Sequence, residues 1–534
     1  DDDGDGRVGP GDHAEIVAID RYGSSGAGNH VVVYGSRFAV AWEHAIGWDS
    51  DIDPVFADLD GDGAGEIVLG GVGGGAPFLV AVDAGTGAER WRSEELDLDC
   101  AASICQTTAA DLDGDGVAEV IVDRWVLDGA TGAVEVTLAL PDAGEMDTRS
   151  PLVADLGLDG IPTLVVGDTA FAPDGTVRWS FDGAGRSAHP ALAQLDDDDA
   201  AEIALALDRE LVFVDTDGTV LFRDALPGAE ADGRAGMPCV GDIDGDGASE
   251  VVVPGGEALD AYDANGVLAW SVPMYGDDGT GAASGGTGCA VFDFDADGAA
   301  EIVLGDALNL RIHDGTSGRV VWETDAYAAY MLLQLPVIAD VDADGSAEIV
   351  VTSTGHATAI GEAWMGVQVY GHPRDAWRTE GSVWGVADFA VGNQAEGGAM
   401  SSAATWLSPG VFRGQVATTD PGELRPGLTV AVMDTCEACD VDEAHVSVAI
   451  SNVGAADAVD VTVALEAVTS DGAVRVLAST GIPTIAAATS AAAVDLAWAP
   501  SDVARGERLL ITTDIAGETC AIDGGSLRIE QACR

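Results

Sequence analysis

Asp242-Ile-Asp244-Gly-Asp246-Gly247-Ala248-Ser-Glu250, running straight into Val251-Val-Val, is the stretch from which the architecture can be read. Aspartates stand at the first, third and fifth places, glycine at the sixth and glutamate at the ninth, with an apolar run on either side. The frame recurs in full at Asp58, Asp60, Asp62 and Glu66; at Asp111, Asp113, Asp115 and Glu119; at Asp293, Asp295, Asp297 and Glu301; and at Asp340, Asp342, Asp344 and Glu348. Two copies are eroded. One has Asp155 and Asp159 but Gly157 and Thr163 in place of carboxylates, and the other, from Gln194 to Glu202, keeps Asp196 and Asp198 but puts Asp199 where glycine belongs. The chain opens with Asp1-Asp-Asp3-Gly-Asp5-Gly6 and, after an insertion, continues as Ala14-Glu15-Ile16-Val17. Eight units therefore follow one another at intervals of about 40 to 50 residues, the period of a repeat architecture.

Each unit has a second half. Phe78-Leu-Val-Ala-Val-Asp83-Ala-Gly-Thr-Gly87-Ala-Glu-Arg-Trp91 and Ile312-His-Asp314-Gly-Thr-Ser-Gly318-Arg-Val-Val-Trp322 read as an apolar run, a polar turn and a second run ending in tryptophan, and Asp263 to Trp270 follows more loosely. This is a hairpin pattern. With one strand before the acidic loop and one after it, a unit has four short strands, and radial repetition of such units gives a β-propeller. The predicted fold class is all-β: an eight-bladed propeller, with seven blades as the alternative, over 1–420, then a small Ig-like β-sandwich over 421–534. The first unit lacks its opening strand, and residues within 384–415 are expected to supply it and close the ring.

The acidic loops predict metal. Several carboxylates brought to one point by a tight glycine turn form a hard-oxygen donor set that suits Ca²⁺ better than Mg²⁺, which keeps more water in a stricter octahedron. The expected ligands are the side chains at places 1, 3, 5 and 9 of the five full loops, with the backbone carbonyl at place 7: Ala64, Val117, Ala248, Ala299 and Ser346. Asp1, Asp3, Asp5 and Asp12 have the 1-3-5-12 spacing of an EF-hand-like or dockerin-like loop and form a sixth candidate. Calcium in the two eroded loops is in doubt. Carboxylates crowded in this way repel, so ion binding should couple to folding, with the metal bracing the blades.

These loops resemble those of the FG-GAP or VCBS repeat proteins, integrin-α-like propellers with a D-x-D-x-D-G-x-x-[DE] loop between the first two strands of a blade. The resemblance covers about residues 1–415 and implies calcium without implying an activity. From Pro421 the acidic loops stop and Leu428–Val432, His445–Ile450, Val459–Leu465 and Leu509–Thr513 read as strands. The stretch from Val446 to Asp457, with Asn452 and Gly454, resembles the turn of adhesion-related CARDB-like Ig-fold domains, which serve as spacers or docking modules.

Composition bounds the function. With 92 Asp and Glu against 23 basic residues, all of them Arg, the formal net charge is −69, which excludes a basic footprint for nucleic acid or anionic membrane. No apolar run reaches the length of a spanning helix. The first residue, Asp1, reads as a processed or truncated start. Eight cysteines fall as Cys100 with Cys105, Cys436 with Cys439 and Cys520 with Cys533, leaving Cys239 and Cys289 one repeat apart, a pattern suited to disulfides in an oxidising compartment.

Catalytic constellations are weak. Ala81 to Trp91 is similar to the tryptophan-docking motif of quinone-dependent dehydrogenases, but the vicinal cysteine pair of those enzymes is missing and Trp91 is expected to pack between blades. Gly71-Val-Gly73-Gly-Gly75 superficially matches a dinucleotide fingerprint, yet a strand follows it where a helix is needed. The eight histidines are scattered. The expectation is a non-catalytic, secreted or cell-surface calcium-binding protein of bacterial or archaeal origin, serving adhesion or assembly with other protein subunits or surface glycans, with polymerisation of the chain into a filament as one form of assembly. The alternative is a polysaccharide-binding or lyase-like propeller using an acidic channel.

Overall fold

A computed structural model describes residues 15–415 apart from loop segments, of which the longest are 21–28, 227–234, 275–286, 354–365 and 391–410, and residues 428–515 apart from turns between strands; residues 1–14, 416–427 and 516–534 lie outside the description. No α-helix occurs among the described residues, and no helix is long and apolar enough to cross a membrane. Eight antiparallel sheets follow in chain order: blade 1 (16–46), blade 2 (55–92), blade 3 (107–137), blade 4 (151–180), blade 5 (188–225), blade 6 (239–273), blade 7 (289–324) and blade 8 (337–371). Blades 2 to 7 have four strands each, paired in sequence order, while three strands are described for blades 1 and 8. The fold is an eight-bladed β-propeller.

Burial explains the radial order. The innermost strands Thr107–Ala110, Pro151–Ala154, Ala188–Ala193 and Cys289–Phe292 are buried at every residue, as strands covered on both faces must be, and each packs beside its counterpart in the next blade. The outermost strands, such as Val220–Ala225 and Leu268–Pro273, are largely exposed. Just ahead of the inner strands, parallel bridges join Ile52 to Cys105, Arg149 to Ala188 and Met237 to Gly288. A disulfide between Cys239 and Cys289 ties the inner strands of blades 6 and 7, and Cys105 is also disulfide-bonded; the other five cysteines lie outside the described residues.

Neighbouring blades are clasped by tryptophan. Trp42 Nε1 donates to the Ala84 carbonyl of blade 2 (2.7 Å), Trp91 to Gly129 of blade 3 (2.5 Å), Trp179 to Thr216 of blade 5 (2.9 Å) and Trp270 to Gly315 of blade 7 (2.7 Å). Each acceptor sits in the outer hairpin turn of the next blade, so the indole satisfies its N–H while its ring covers the turn. Trp91 thus has the packing role expected of it. The turn glycine makes room: Gly132 sits at φ 69°, and a Cβ there would lie 2.3 Å from the Trp91 ring. The outer hairpins of blades 1 to 7 share one irregularity, a β-bulge one residue before the tryptophan position.

Residues 384–390 and 411–415 do not complete blade 1. Instead they lie along the axis, against the inner strands of other blades. Phe56 N of blade 2 donates to Gly385 O (2.9 Å), Val240 of blade 6 bridges Phe412, and Val291 of blade 7 bridges Gly414. Val386 and Phe389 join the core of blades 2 and 3, and Ala390 and Phe412 that of blades 4 to 6. Polar residues lock the segment: Asp388 accepts hydrogen bonds from Thr108 Oγ1 of blade 3 and Val153 N of blade 4, and Arg413 donates to Pro238 O (2.6 Å) and Ala387 O (3.0 Å). Burial lifts the Asp388 carboxyl to about 6 and pulls the Arg413 guanidinium down to about 9, which leaves Arg413 charged at neutral pH. Arg413 sits at φ 54°, a left-handed conformation that costs roughly 1 to 2 kcal/mol for a non-glycine residue. Residues 384–390 and 411–415 thus fill the axis, where their apolar side chains are covered by the inner strands of several blades, while 391–410, the rest of the segment expected to close the ring, lie outside the described residues.

Beyond residue 427, two three-stranded sheets face each other. Leu428–Thr435, Ala444–Asn452 and Thr489–Trp498 form one, and Val474–Ile485, Ala458–Val468 and Arg508–Ile515 the other. Val446, Val448 and Ile450 alternate inward from the first sheet onto Val461, Val463, Leu465 and Ala467 of the second, so this part is a β-sandwich. The four strands read from the sequence are present; Val474–Ile485 and Thr489–Trp498 are additions. The boundary drawn at 420/421 lies outside the described residues.

Two outcomes test this packing. Gly132→Ala forces a methyl group onto the Trp91 ring at a positive φ and should destabilise the protein by about 2 kcal/mol or more, read as a shift in urea midpoint. His189 of blade 5 is buried within hydrogen-bonding distance of Ser150 Oγ (2.6 Å), and burial, followed by the Arg413 charge, lowers its pKa from 6.5 to about 3. A folded-state value below the unfolded one gives stability that is present above pH 6.5 and lost as pH falls toward 3. Between pH 6 and pH 4 the wild type should lose up to about 1.4 kcal/mol per pH unit relative to His189→Gln, measured as the difference between the two stability curves.

Candidate metal sites

The acidic loops leave equivalent ends of inner strands that run parallel around the axis, so they crowd one face. Blade 7 hands an N–H from Ala300 to the Asp242 carbonyl of the blade 6 loop (2.8 Å), and a Cβ on Gly61 of blade 2 would strike Gly116 O of blade 3. Each loop is wound by its own side chains. In blade 2, Asp58 Oδ1 accepts from Gly61 N (2.9 Å) and Asp62 N (3.2 Å), and Asp58 Oδ2 from Gly63 N (3.0 Å). Asp60 Oδ1 takes Asp62 N and Asp62 Oδ1 takes Ala64 N, which leaves one oxygen of each uncommitted to backbone. Glycine at the sixth place is required by geometry, with φ 86° at Gly63, 90° at Gly116, 87° at Gly247 and 95° at Gly298.

The winding recurs at Asp111, Asp113 and Asp115 with Val117, at Asp242, Asp244 and Asp246 with Ala248, and at Asp293, Asp295 and Asp297 with Ala299. In each of these four loops the three aspartates bring one carboxylate oxygen apiece within 4.8 Å of one another. The ninth-place glutamate closes the neck. Glu66, Glu119, Glu250, Glu301 and Glu348 each accept a hydrogen bond from the backbone N–H at the second place, at 2.7–3.0 Å. Of the Asp340 loop, Asp340, Ser346 and Glu348 are described and buried, while Asp342 and Asp344 lie outside the described residues, as do Asp1, Asp3, Asp5 and Asp12.

The eroded loops diverge. In blade 5, Asp196, Asp198 and Glu202 converge like the full sets, and Glu202 accepts from Leu195 N. The sequence obscured this site because Gln194 replaces the first aspartate; its amide grips the loop from the opposite polarity, donating to the carbonyls of Asp196 and Asp198. In blade 4, Asp155 and Asp159 still wind the loop, but no acidic triad forms among the described residues.

Electrostatics mark these loops as unneutralised. Burial, reinforced by neighbouring aspartates, lifts Glu66, Glu119 and Glu202 to about 7, Glu250 to about 8 and Asp293 to about 6, and drives Asp295 and Glu301 well above the usual carboxylate range. Glu66 Oε1, Glu202 Oε1 and Asp295 Oδ2 are buried and accept no hydrogen bond. A buried carboxylate oxygen without a donor is costly unless a cation serves it. Hard oxygens, mutual repulsion and orphaned lone pairs together fit a divalent ion.

No family model and no curated protein matches the sequence. Among solved structures the chain is similar to the V. cholerae biofilm matrix protein Bap1, with a TM-score of 0.62 and 18% identity over 78% of this chain and 94% of that one. A fainter likeness joins it to the Myceliophteria_thermophila Cps50 (Swd1) beta-propeller domain, with a TM-score of 0.34 and 8% identity over 68% and 97% of the two chains. The first likeness establishes shared fold; the second supports nothing further.

Glu250→Gln tests the charge balance of one loop. At pH 9, above the value of about 8 to which Glu250 is lifted, removing its negative charge should raise the melting temperature of chelator-treated protein and lower that of protein in excess calcium, so paired melts should move in opposite directions.

Proposed function

We propose that this protein is a non-catalytic, extracellular calcium-binding component of a surface or matrix assembly, with Ca²⁺ bracing the propeller blades in the manner of FG-GAP or VCBS repeats. The reading is carried by acidic loops that converge in five blades, three of them, those of Glu66, Glu202 and Asp295, holding a buried carboxylate oxygen that lacks a donor. The chemistry of Glu66, Asp60 and Asp62, and of their equivalents, would hold a hard divalent cation, which supplies the positive charge that the chain itself largely lacks. Export agrees with the Cys239–Cys289 disulfide and with the fold shared with a biofilm matrix protein. The partners would be other protein subunits or surface glycans, met by loops on rigid blades, with the C-terminal sandwich acting as an Ig-like, CARDB-like docking module that could also join copies into a filament.

A polysaccharide-cleaving channel is the weaker reading. Val386, Asp388, Phe389, Phe412 and Arg413 are packed along the axis where its substrate would thread.

The test is calcium content by mass spectrometry on dialysed protein, paired with thermal melts with and without chelator. Four to seven ions per chain and a melting temperature lowered by chelator are the expected results. Near-zero calcium would overturn the proposal.

A further inference from the structure

In blades 1 to 7 the bulge of the outer hairpin inserts one unpaired residue, and its identity varies around the ring. It is Ala41 in blade 1, Arg90 in blade 2, Glu135 in blade 3, Arg178 in blade 4, Leu221 in blade 5, Ala269 in blade 6 and Val321 in blade 7. A bulge re-aims a side chain out of the ladder. In blade 2 it aims a guanidinium into the loop: Arg90 Nη2 lies 3.3 Å from Glu66 Oε1 and 3.9 Å from Asp62 Oδ2, Nη1 lies 4.0 Å from Asp60 Oδ2, and Nη2 donates to Asp83 Oδ2 at 3.2 Å. Glu66 is only 2% exposed and its Oε1 accepts no hydrogen bond, so this oxygen has a cation beside it without being satisfied by it. In blade 4, where the loop has lost two carboxylates, Arg178 donates instead to Thr163 Oγ1 (2.6 Å), the residue at the ninth place. In blade 3 the inserted side chain is itself acidic, close enough to Asp113, Asp115 and Glu119 to interact with their charges.

We propose that the bulge residue grades the cation affinity of the loops. Resting on the calcium reading above, the structure assigns Arg90 as a tethered counter-ion that competes with the divalent cation in blade 2, Arg178 as its permanent replacement in blade 4, and Glu135 as an added carboxylate that strengthens the site in blade 3. The ring then carries sites of unequal affinity: blade 3 fills first, the sites beside Leu221, Ala269 and Val321 follow, and blade 2 fills last, when calcium is high enough to displace a guanidinium.

Calorimetric titration of calcium into the full-length, chelator-treated protein tests this. Arg90→Gln should tighten the weakest site by about tenfold without adding a site, because a unit positive charge near 4 Å is removed from a partly exposed pocket. Glu135→Gln should loosen the tightest site by a similar factor. Arg223→Gln, which breaks a pair with Glu210 away from the loops, is the control and should leave the isotherm unchanged. Melts of the calcium-free protein give a second readout, in which Arg90→Gln should lower the melting temperature more than the control does. Calcium uptake with an Arg90→Gln isotherm that superimposes on wild type would overturn this inference alone. A wild-type protein that takes up no calcium would overturn the functional reading along with it.

Discussion

Repulsion among like charges is the constraint on which this structure turns. Aspartates are needed at places 1, 3 and 5 because their short side chains fold back onto successive backbone N–H groups and wind a tight loop without help from elsewhere in the fold. The same residues bring their remaining oxygens together, and a buried glutamate at the neck adds to the crowd. Local winding and local repulsion thus come from the same atoms. The described loops meet this in different ways: blade 2 places an arginine beside the carboxylates, blade 4 deletes carboxylates and keeps the winding, and the others leave a donor set in which a cation could sit.

Much of the rest of the ring is held by interactions indifferent to charge. Inner strands buried on both faces supply the apolar core, and tryptophans such as Trp91 reach across to the next blade, where a glycine in the left-handed region lets the indole lie flat on the turn. Because the aromatic belongs to one blade and the glycine to its neighbour, stability is transmitted around the ring pair by pair, as in other repeat folds.

What could be read from the amino-acid order follows the range of the physics. The acidic loops, the hairpins and the inner strands are written in residues a few positions apart, so blade count and the convergence of the acidic side chains were legible. The blade 5 site was not, since Gln194 does with donors what aspartate does with acceptors. Arg90 was invisible for another reason: its place is fixed by a one-residue slip in strand pairing, which no spacing rule expresses. The axial packing of 384–390 and 411–415 was not legible because their apolar residues have no period and their partners lie far away in the chain, Asp388 meeting Thr108 and Arg413 meeting Pro238. The strands Val474–Ile485 and Thr489–Trp498 were missed because Gly481 and Pro483 interrupt one and alanines dilute the other.

The position of these axial residues in the chain has a consequence for biogenesis. Gly385, Asp388, Phe412 and Arg413 follow the described strands of all eight blades in sequence yet touch inner strands made more than a hundred residues earlier. During vectorial synthesis or export, the seven described inner strands emerge before the segment that fills the space between them. Whatever the order in which the blades associate, the residues that fill their common axis come after the described strands of all of them. The contacts of Asp388 and Arg413 along the axis can therefore form only at the end of the propeller, just before the chain passes on to the sandwich.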